Sequence, residues 1–313
     1  MAEKVAVVAV GGNALIKDKT KKTIPDQFDA ASETMSYIAD MIAEGWKVVL
    51  THGNGPQVGF ILRRSELSAH ELHEVPLDYC GADTQGAIGY MFQQSLYNEF
   101  KKRGMPNSAA TVVTQCLVDR NDPAFANPTK PIGSFLDEET AKKRMAEGKS
   151  FVEDAGRGWR EVVASPKPKS IVEASAIKDL IDGGFTVIAV GGGGIPVIEN
   201  EAGELVGTSA VIDKDFASSL LASDLDAELL LISTAVEKVC LNFNTPEQID
   251  LDKMTVAEAE QYIEEGQFAP GSMLPKVQSI IKFLKAGGKQ ALITDPPNIK
   301  RALAGETGTW VLP

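Results

Sequence analysis

Three short apolar runs in this 313-residue chain stop abruptly at glycine and lead into helical stretches. Residues 5–10 run into Gly11-Gly12-Asn13. Residues 47–51 run into His52-Gly53-Asn54-Gly55-Pro56, and residues 186–190 into four glycines at 191–194. Apolar runs without polar alternation suit strands covered on both faces. Residues 110–114, 229–234 and 290–294 read the same way. Helices are predicted between them. In 29–44, Met35, Ile38, Ala39 and Ile42 form one face and Gly45 is the stop; 82–103 ends at Gly104. Thr255 and Glu258 have capping-box spacing in a helix closed by Gly266. Val277, Ile280, Ile281 and Leu284 mark one stopped by Gly287-Gly288. Such alternation predicts an α/β fold around a mostly parallel sheet.

Residues 120–168 break this rhythm. They are rich in Pro, Lys, Asp and Gly, and the helix candidate at 138–147 has almost no apolar face. A small subdomain or lid is expected there. The net charge of −12 argues against a nucleic-acid partner, though it leaves room for a local basic pocket. No apolar run reaches the roughly 18–20 residues that a membrane span needs, and the amino terminus has no signal-peptide pattern. Cys80, Cys116 and Cys240 are far apart, which suits a reducing, cytoplasmic compartment and small buried hydrophobes. With three histidines and no CxxC, no structural zinc site is expected.

Glycine after a strand lets backbone approach a ligand, and the following helix aims N–H groups at an anion. In a parallel sheet such loops converge at the carboxyl edge. The familiar phosphate signatures are absent. Gly148-Lys149-Ser150 has Lys143 where Walker A needs its first glycine. The loop at 53–59 is one residue too long for the dinucleotide fingerprint, and there is no Gly-x-Ser-x-Gly elbow. Three lysines stand in rigid settings: Lys130 between Pro128 and Pro131, Lys214 between Asp213 and Asp215 just ahead of a helix, and Lys276 after Pro275 at a helix start. Cations so placed suit phosphoryl transfer, which depends on positioning and charge neutralisation. Asp215 could orient Lys214 and Lys276; equally, Asp213 or Asp215 could serve as a helix N-cap. His52 either caps or packs, and His70 and His73 read as surface residues.

Several segments together resemble the carbamate kinases of the amino acid kinase family. Besides the first two glycine loops they are Asn127-Pro128-Thr129-Lys130-Pro131-Ile132-Gly133, Glu153-Asp154-Ala155-Gly156-Arg157-Gly158-Trp159-Arg160, Gly191-Gly192-Gly193-Gly194-Ile195-Pro196, Ala210-Val211-Ile212-Asp213-Lys214-Asp215, and the run from Phe268 to Lys276. The resemblance implies a three-layer α/β/α fold with a protruding subdomain at about 120–168. It implies reversible transfer between ATP and carbamate, giving ADP and carbamoyl phosphate, with Mg²⁺ carried by the nucleotide. It also implies a homodimer, and ATP synthesis in arginine catabolism by the arginine deiminase pathway. Residues 1–210 would form the carbamate lobe and 211–313 the nucleotide lobe. Gly11, Gly12 and Asn13 with Gly53, Asn54 and Gly55 would offer N–H donors to the phosphate and carbamate. Lys130 would close over carbamoyl phosphate, while Lys214 and Lys276 neutralise the phosphate and Asp215 holds them apart. Phe243, Met273 and Pro275 would line the nucleotide site. Gln267 and Phe243 stand where the family often has His and Tyr. A carboxylate kinase of the acetylglutamate type and a non-catalytic nucleotide sensor are the competing readings; the first has little use for Lys130 and its insert, the second none for three lysines and Asp215.

Overall fold

The computed structural model describes residues 4–16, 20–153 and 158–313, apart from the side chains of Asn13 and Ser134. Residues 154–157 of the Glu-Asp-Ala-Gly-Arg-Gly-Trp-Arg segment lie outside the described residues. The chain opens with β1 (Lys4–Val10), α1 (Ile24–Ala43), β2 (Trp46–His52), α2 (Gly55–Ser68), α3 (Leu77–Arg103), β3 (Ser108–Thr111) and β4 (Gln115–Val118). The insert follows as β5 (Lys130–Leu136), α4 (Glu138–Ala146), β6 (Phe151–Glu153) and β7 (Trp159–Val163). Next come β8 (Pro168–Ile171), α5 (Ala174–Asp182), β9 (Phe185–Ile188), β10 (Ile195–Glu199), β11 (Leu205–Gly207) and α6 (Lys214–Asp224). The remainder is β12 (Leu229–Ser233), β13 (Val239–Leu241), β14 (Ile249–Leu251), β15 (Lys253–Thr255), α7 (Val256–Glu264), α8 (Met273–Lys285), β16 (Gln290–Thr294), α9 (Ile299–Leu303) and β17 (Thr309–Leu312).

The central sheet has eight strands in the order β15-β17-β16-β12-β1-β2-β9-β3. Every pairing in it is parallel except β16 with β17. The uninterrupted apolar runs have the expected cause. On β1, Ala6, Val8 and Val10 pack with α1, α3 and α9, whereas Val7 and Ala9 pack with α5, α6 and α8. From Ala6 to Val10 each residue is therefore covered whichever way it points, which is the three-layer α/β/α arrangement. The predicted stops hold: α3 ends at Gly104 in the left-handed region, and the Thr255–Glu258 capping box forms. The periodicity did not predict the four-stranded sheet β11-β10-β4-β8 or the antiparallel strand β17.

The insert is a real subdomain, with its own sheet β5-β7-β6. It docks on α2 in two ways. Gly59 and Gly133 meet backbone to backbone; a Cβ at 59 would lie 2.1 Å from the Gly133 Cα. Beyond them the half-buried Glu66 takes hydrogen bonds from Arg144 (2.8 Å), Arg63 (3.3 Å) and Lys149 (3.4 Å). Beneath the seam, Ile132 packs against Val58, Leu77, Cys80 and Val211. This explains how α4 survives with one buried residue, Ala141: charge contacts, not an apolar face, hold it.

Candidate active site

Strands β1, β2 and β12 end side by side, and their loops meet at the carboxyl edge of the sheet. After β1, Gly12–Ala14 form one 3-10 turn. After β2, Gly53 and Asn54 lead into α2, whose first residue is Gly55 and second is Pro56. Asn54 is buried and donates through Nδ2 to Thr84 Oγ1 at 2.8 Å. Two amides expected as donors are already engaged. The Gly11 N–H donates to the Ser233 carbonyl at 2.9 Å and the Gly53 N–H to the Val10 carbonyl at 3.2 Å. These bonds stitch the loops to the sheet edge. Gly12 and Gly55 open their helical turns, with Asn54 as the N-cap of α2, and these remain the candidate amide donors. The Asn13 side chain lies outside the described residues.

The third glycine loop does a different job. Residues 191–194 are buried, and Gly192, Gly193 and Gly194 all have positive φ. A Cβ on Gly192 would fall 2.2 Å from Asn54 Nδ2, and one on Gly193 would fall 2.4 Å from the Ile212 carbonyl. The loop is a spacer between the Asn54 turn and the strand-like lead into α6. Gln85 clamps it, donating to the Gly191 carbonyl at 2.9 Å and exchanging bonds with Thr114. Nothing in the sequence marks Gln85, a polar residue in mid-helix.

Lys214 begins α6 instead of preceding it, and Asp213 is its N-cap, accepting the Asp215 N–H at 2.9 Å. Asp215 lies in the first turn and is buried. Its two oxygens each accept one ammonium: Oδ1 from Lys214 at 2.6 Å, Oδ2 from Lys276 at 2.9 Å. Lys276 comes from the first turn of α8, which Ser272 opens. Burial alone would push the Asp215 carboxyl up, but the two ammonium groups outweigh it and hold the group well below the usual carboxylate range. Burial pulls Lys214 below the usual lysine value; the Asp215 charge opposes this and Lys276 adds to it. So the carboxylate stays ionised and spaces two cations at one point. Lys130, the first residue of β5, reaches the same region and donates to Asp213 Oδ2 at 2.5 Å. Three ammonium groups face two carboxylates, leaving a net positive centre in a chain of charge −12.

On one side of Lys214, a Cβ on Gly53 would touch the lysine Cδ at 3.4 Å. On the other side opens a cavity of about 820 Å³ lined by Gly11, Gly12, Lys214, Lys276, Met273 and Phe243, together with Thr234, Ala235, Val236 and Gln267. Phe243 is exposed at the rim. The Asn242 N–H donates to the Gln267 side-chain oxygen at 2.8 Å, which ties one unusual position, Gln267, to the residue before the other, Phe243. Pro275 stands in the first turn of α8, and Met273 and Lys276, not Pro275, line the cavity. Residues 234–236 were missed from sequence, although they follow β12 and so share the carboxyl edge where ligands bind.

His52 is fully buried with its ring edge against Phe92 and its Nδ1 3.1 Å from the Gly53 carbonyl. Burial drives it down to about 4, with the Gly53 contact opposing and Lys214 adding. It is a neutral packing residue at neutral pH. Cys80 and Cys116 are buried, and burial raises both thiols, to about 11 and about 12. Among the described residues no cluster of three His, Cys, Asp or Glu side chains forms a metal site, and no helix is long and apolar enough to cross a membrane.

The family model for the amino acid kinase family matches residues 4–295. A carbamate kinase of Clostridium perfringens is 52% identical over 98% of this chain and 99% of its own length. The carbamate kinase-like protein YahI of Escherichia coli is 50% identical over 99% of each chain. A structure of carbamate kinase from Giardia lamblia bound to AMP-PNP superposes with a TM-score of 0.93 at 44% identity, covering 99% of each chain.

Proposed function

The chain belongs to the amino acid kinase family and is a phosphotransferase, and from that premise we propose that it is a carbamate kinase: ATP plus carbamate gives ADP plus carbamoyl phosphate, reversibly. One observation carries the reading. Lys214 and Lys276 sit on the two oxygens of buried Asp215, between the Gly53 loop and a nucleotide-sized cavity. A phosphoryl group crossing from cavity to loop passes both ammonium groups.

The chemistry asks little more of the protein. Carbamate is already an oxyanion nucleophile, so no general base is required, and buried neutral His52 is not needed as one. Phosphoryl transfer then rests on alignment and on neutralising the charge spread over the equatorial oxygens. Lys214 and Lys276 supply that neutralisation without reorganising, since Asp215 already fixes them. Gly12, Asn54 and Gly55 offer amide hydrogens to the phosphate and carbamate. Phe243 and Met273 bound the nucleotide. Asp213 and Asp215 are both taken by ammonium groups, so neither offers a seat for a resident metal. Mg²⁺ is assigned to the nucleotide substrate, held through its phosphates. Residues 1–210 serve as the carbamate lobe and 211–313 as the nucleotide lobe, with β1 between β2 and β12 at the join.

The reading extends to a homodimer. Strand β3 lies at the end of the central sheet, and beside it α3 exposes Tyr79, Tyr90 and Tyr97, each more than 60% accessible. The proposed setting is the cytoplasm, with ATP made from carbamoyl phosphate in arginine breakdown by the arginine deiminase pathway; the family resemblance supports both. Mixing the protein with ADP, Mg²⁺ and carbamoyl phosphate tests the reaction. ATP should appear, and N-acetylglutamate should not replace carbamate in the reverse direction. Nucleotide binding without phosphoryl exchange would leave a sensor instead.

A further inference from the structure

We propose that Asp213 is a positioning residue for this reaction: its carboxylate seats the Lys130 ammonium beside the Lys214–Asp215–Lys276 cluster, ready for the transferring phosphoryl group to take over. The inference rests on the carbamate kinase reading. The two oxygens of Asp213 do separate work. Oδ1 caps α6 by accepting the Asp215 N–H at 2.9 Å, and Oδ2 accepts the Lys130 ammonium at 2.5 Å. A cap needs only the first bond; serine, threonine or asparagine would serve as well. The second is a contact between the subdomain and the nucleotide lobe.

Its value lies in what Lys130 is attached to. Lys130 opens β5, on a subdomain that meets the rest of the chain through the Gly59–Gly133 contact, the Glu66 ion pairs and the Val211–Ala164 hydrogen bond of 3.0 Å. Those contacts place the strand but leave a long flexible side chain free to wander. Asp213 removes that freedom before substrate arrives. The pair is reachable: the Lys130 side chain is 35% exposed and that of Asp213 17%. An incoming phosphoryl oxygen can therefore compete for the ammonium, whereas Asp215 at 4% keeps its two lysines. A carboxylate so near an anion site also repels the ground-state anion. Asp213 thus holds the cation in place at a cost in substrate affinity.

The test is a double-mutant cycle on kcat and KM for carbamoyl phosphate, using D213N, K130A and the pair. Wild-type ATP formation reports on the reaction itself, and the cycle reads ratios within it, so the two ideas fail separately. D213N keeps the cap and removes the charge. We expect kcat to fall tenfold or more with KM for carbamoyl phosphate unchanged or lower, and the loss to disappear when Lys130 is already alanine. D213S is the second capping variant should D213N not fold, and its cycle is expected to read the same way. A wild-type kcat in either variant overturns the assignment. So does an equal loss in the K130A background, which would mark Asp213 as a cap alone.

Discussion

Lys214 and Lys276 divide one buried carboxylate between them, which makes each ammonium a fixed part of the site and not a mobile surface charge. A preorganised cation of this kind contributes roughly 3–4 kcal/mol to the transition state, about 10²–10³ in rate. Lys214→Ala should therefore lower kcat by at least that factor; a mutant turning over near the normal rate would remove the role. His52 gives a second test at this scale, one of stability. Its ordinary value is 6.5 and burial takes it to about 4. Between those values the unfolded chain binds a proton that the folded chain refuses, so folding stability is intact above pH 6.5 and declines as pH falls toward 4. The full effect is about 3 kcal/mol. His52→Gln should flatten the slope of the urea midpoint across that window, and an unaltered slope would clear His52 of the effect. Both lysine settings were legible in the sequence, because Gly271 and Pro275 frame Lys276 and two aspartates flank Lys214 at a helix start. The burial of His52 was not: a histidine beside glycines reads alike whether it packs or binds, and Phe92, which decides the matter, is forty residues away.

Between α2 and β5 the contact is two glycines with no side chains between them. A Cβ at 59 would lie 2.1 Å from the Gly133 Cα and 2.5 Å from its N, and backbone atoms of a paired strand cannot swing aside. Gly59→Ala must part the helix from the strand. Overpacking of this kind costs about 1–3 kcal/mol, and the strand that moves begins at Lys130. The expected result is a lower urea midpoint together with a reduced kcat/KM for carbamoyl phosphate. If kcat/KM stays at the wild-type value, seating of the subdomain does not control Lys130. The elements themselves were largely visible beforehand, since strands covered on both faces leave unbroken apolar runs and helices leave one apolar face. The subdomain was visible only as a break in that rhythm. Its strands alternate weakly, and its helix is held through Arg144 by Glu66 on α2, outside its own sequence.

For the whole molecule, the parallel sheet followed from strand–helix alternation, while the order of strands did not. β1 lies between β2 and β12, whose nearest ends, His52 and Leu229, are 177 residues apart in sequence, and its Val10 pairs with both His52 and Ser233. That pairing is what brings the Gly53 loop, the Gly11 loop and the cavity together, and no local periodicity encodes it. The edge of the same sheet carries the last prediction. β3 pairs with β9 alone among the described residues. Tyr79, Tyr90 and Tyr97 on α3 are spaced by eleven and seven residues, close to whole numbers of helical turns, so they form one stripe. Val113 is 56% exposed beside them, and a hollow of about 510 Å³ lined by Tyr90, Tyr97 and Val113 lies between α3 and β3. Exposed apolar surface next to a strand edge favours association, and in the proposed homodimer a second copy would present the same stripe to the first under a two-fold axis. Tyr90→Glu with Tyr97→Glu should place four carboxylates in that interface and give a monomer by light scattering. The active-site cluster lies at the carboxyl edge around β1, β2 and β12, away from β3, so the monomer should still bind nucleotide. A double mutant that remains a dimer would move the interface to another face.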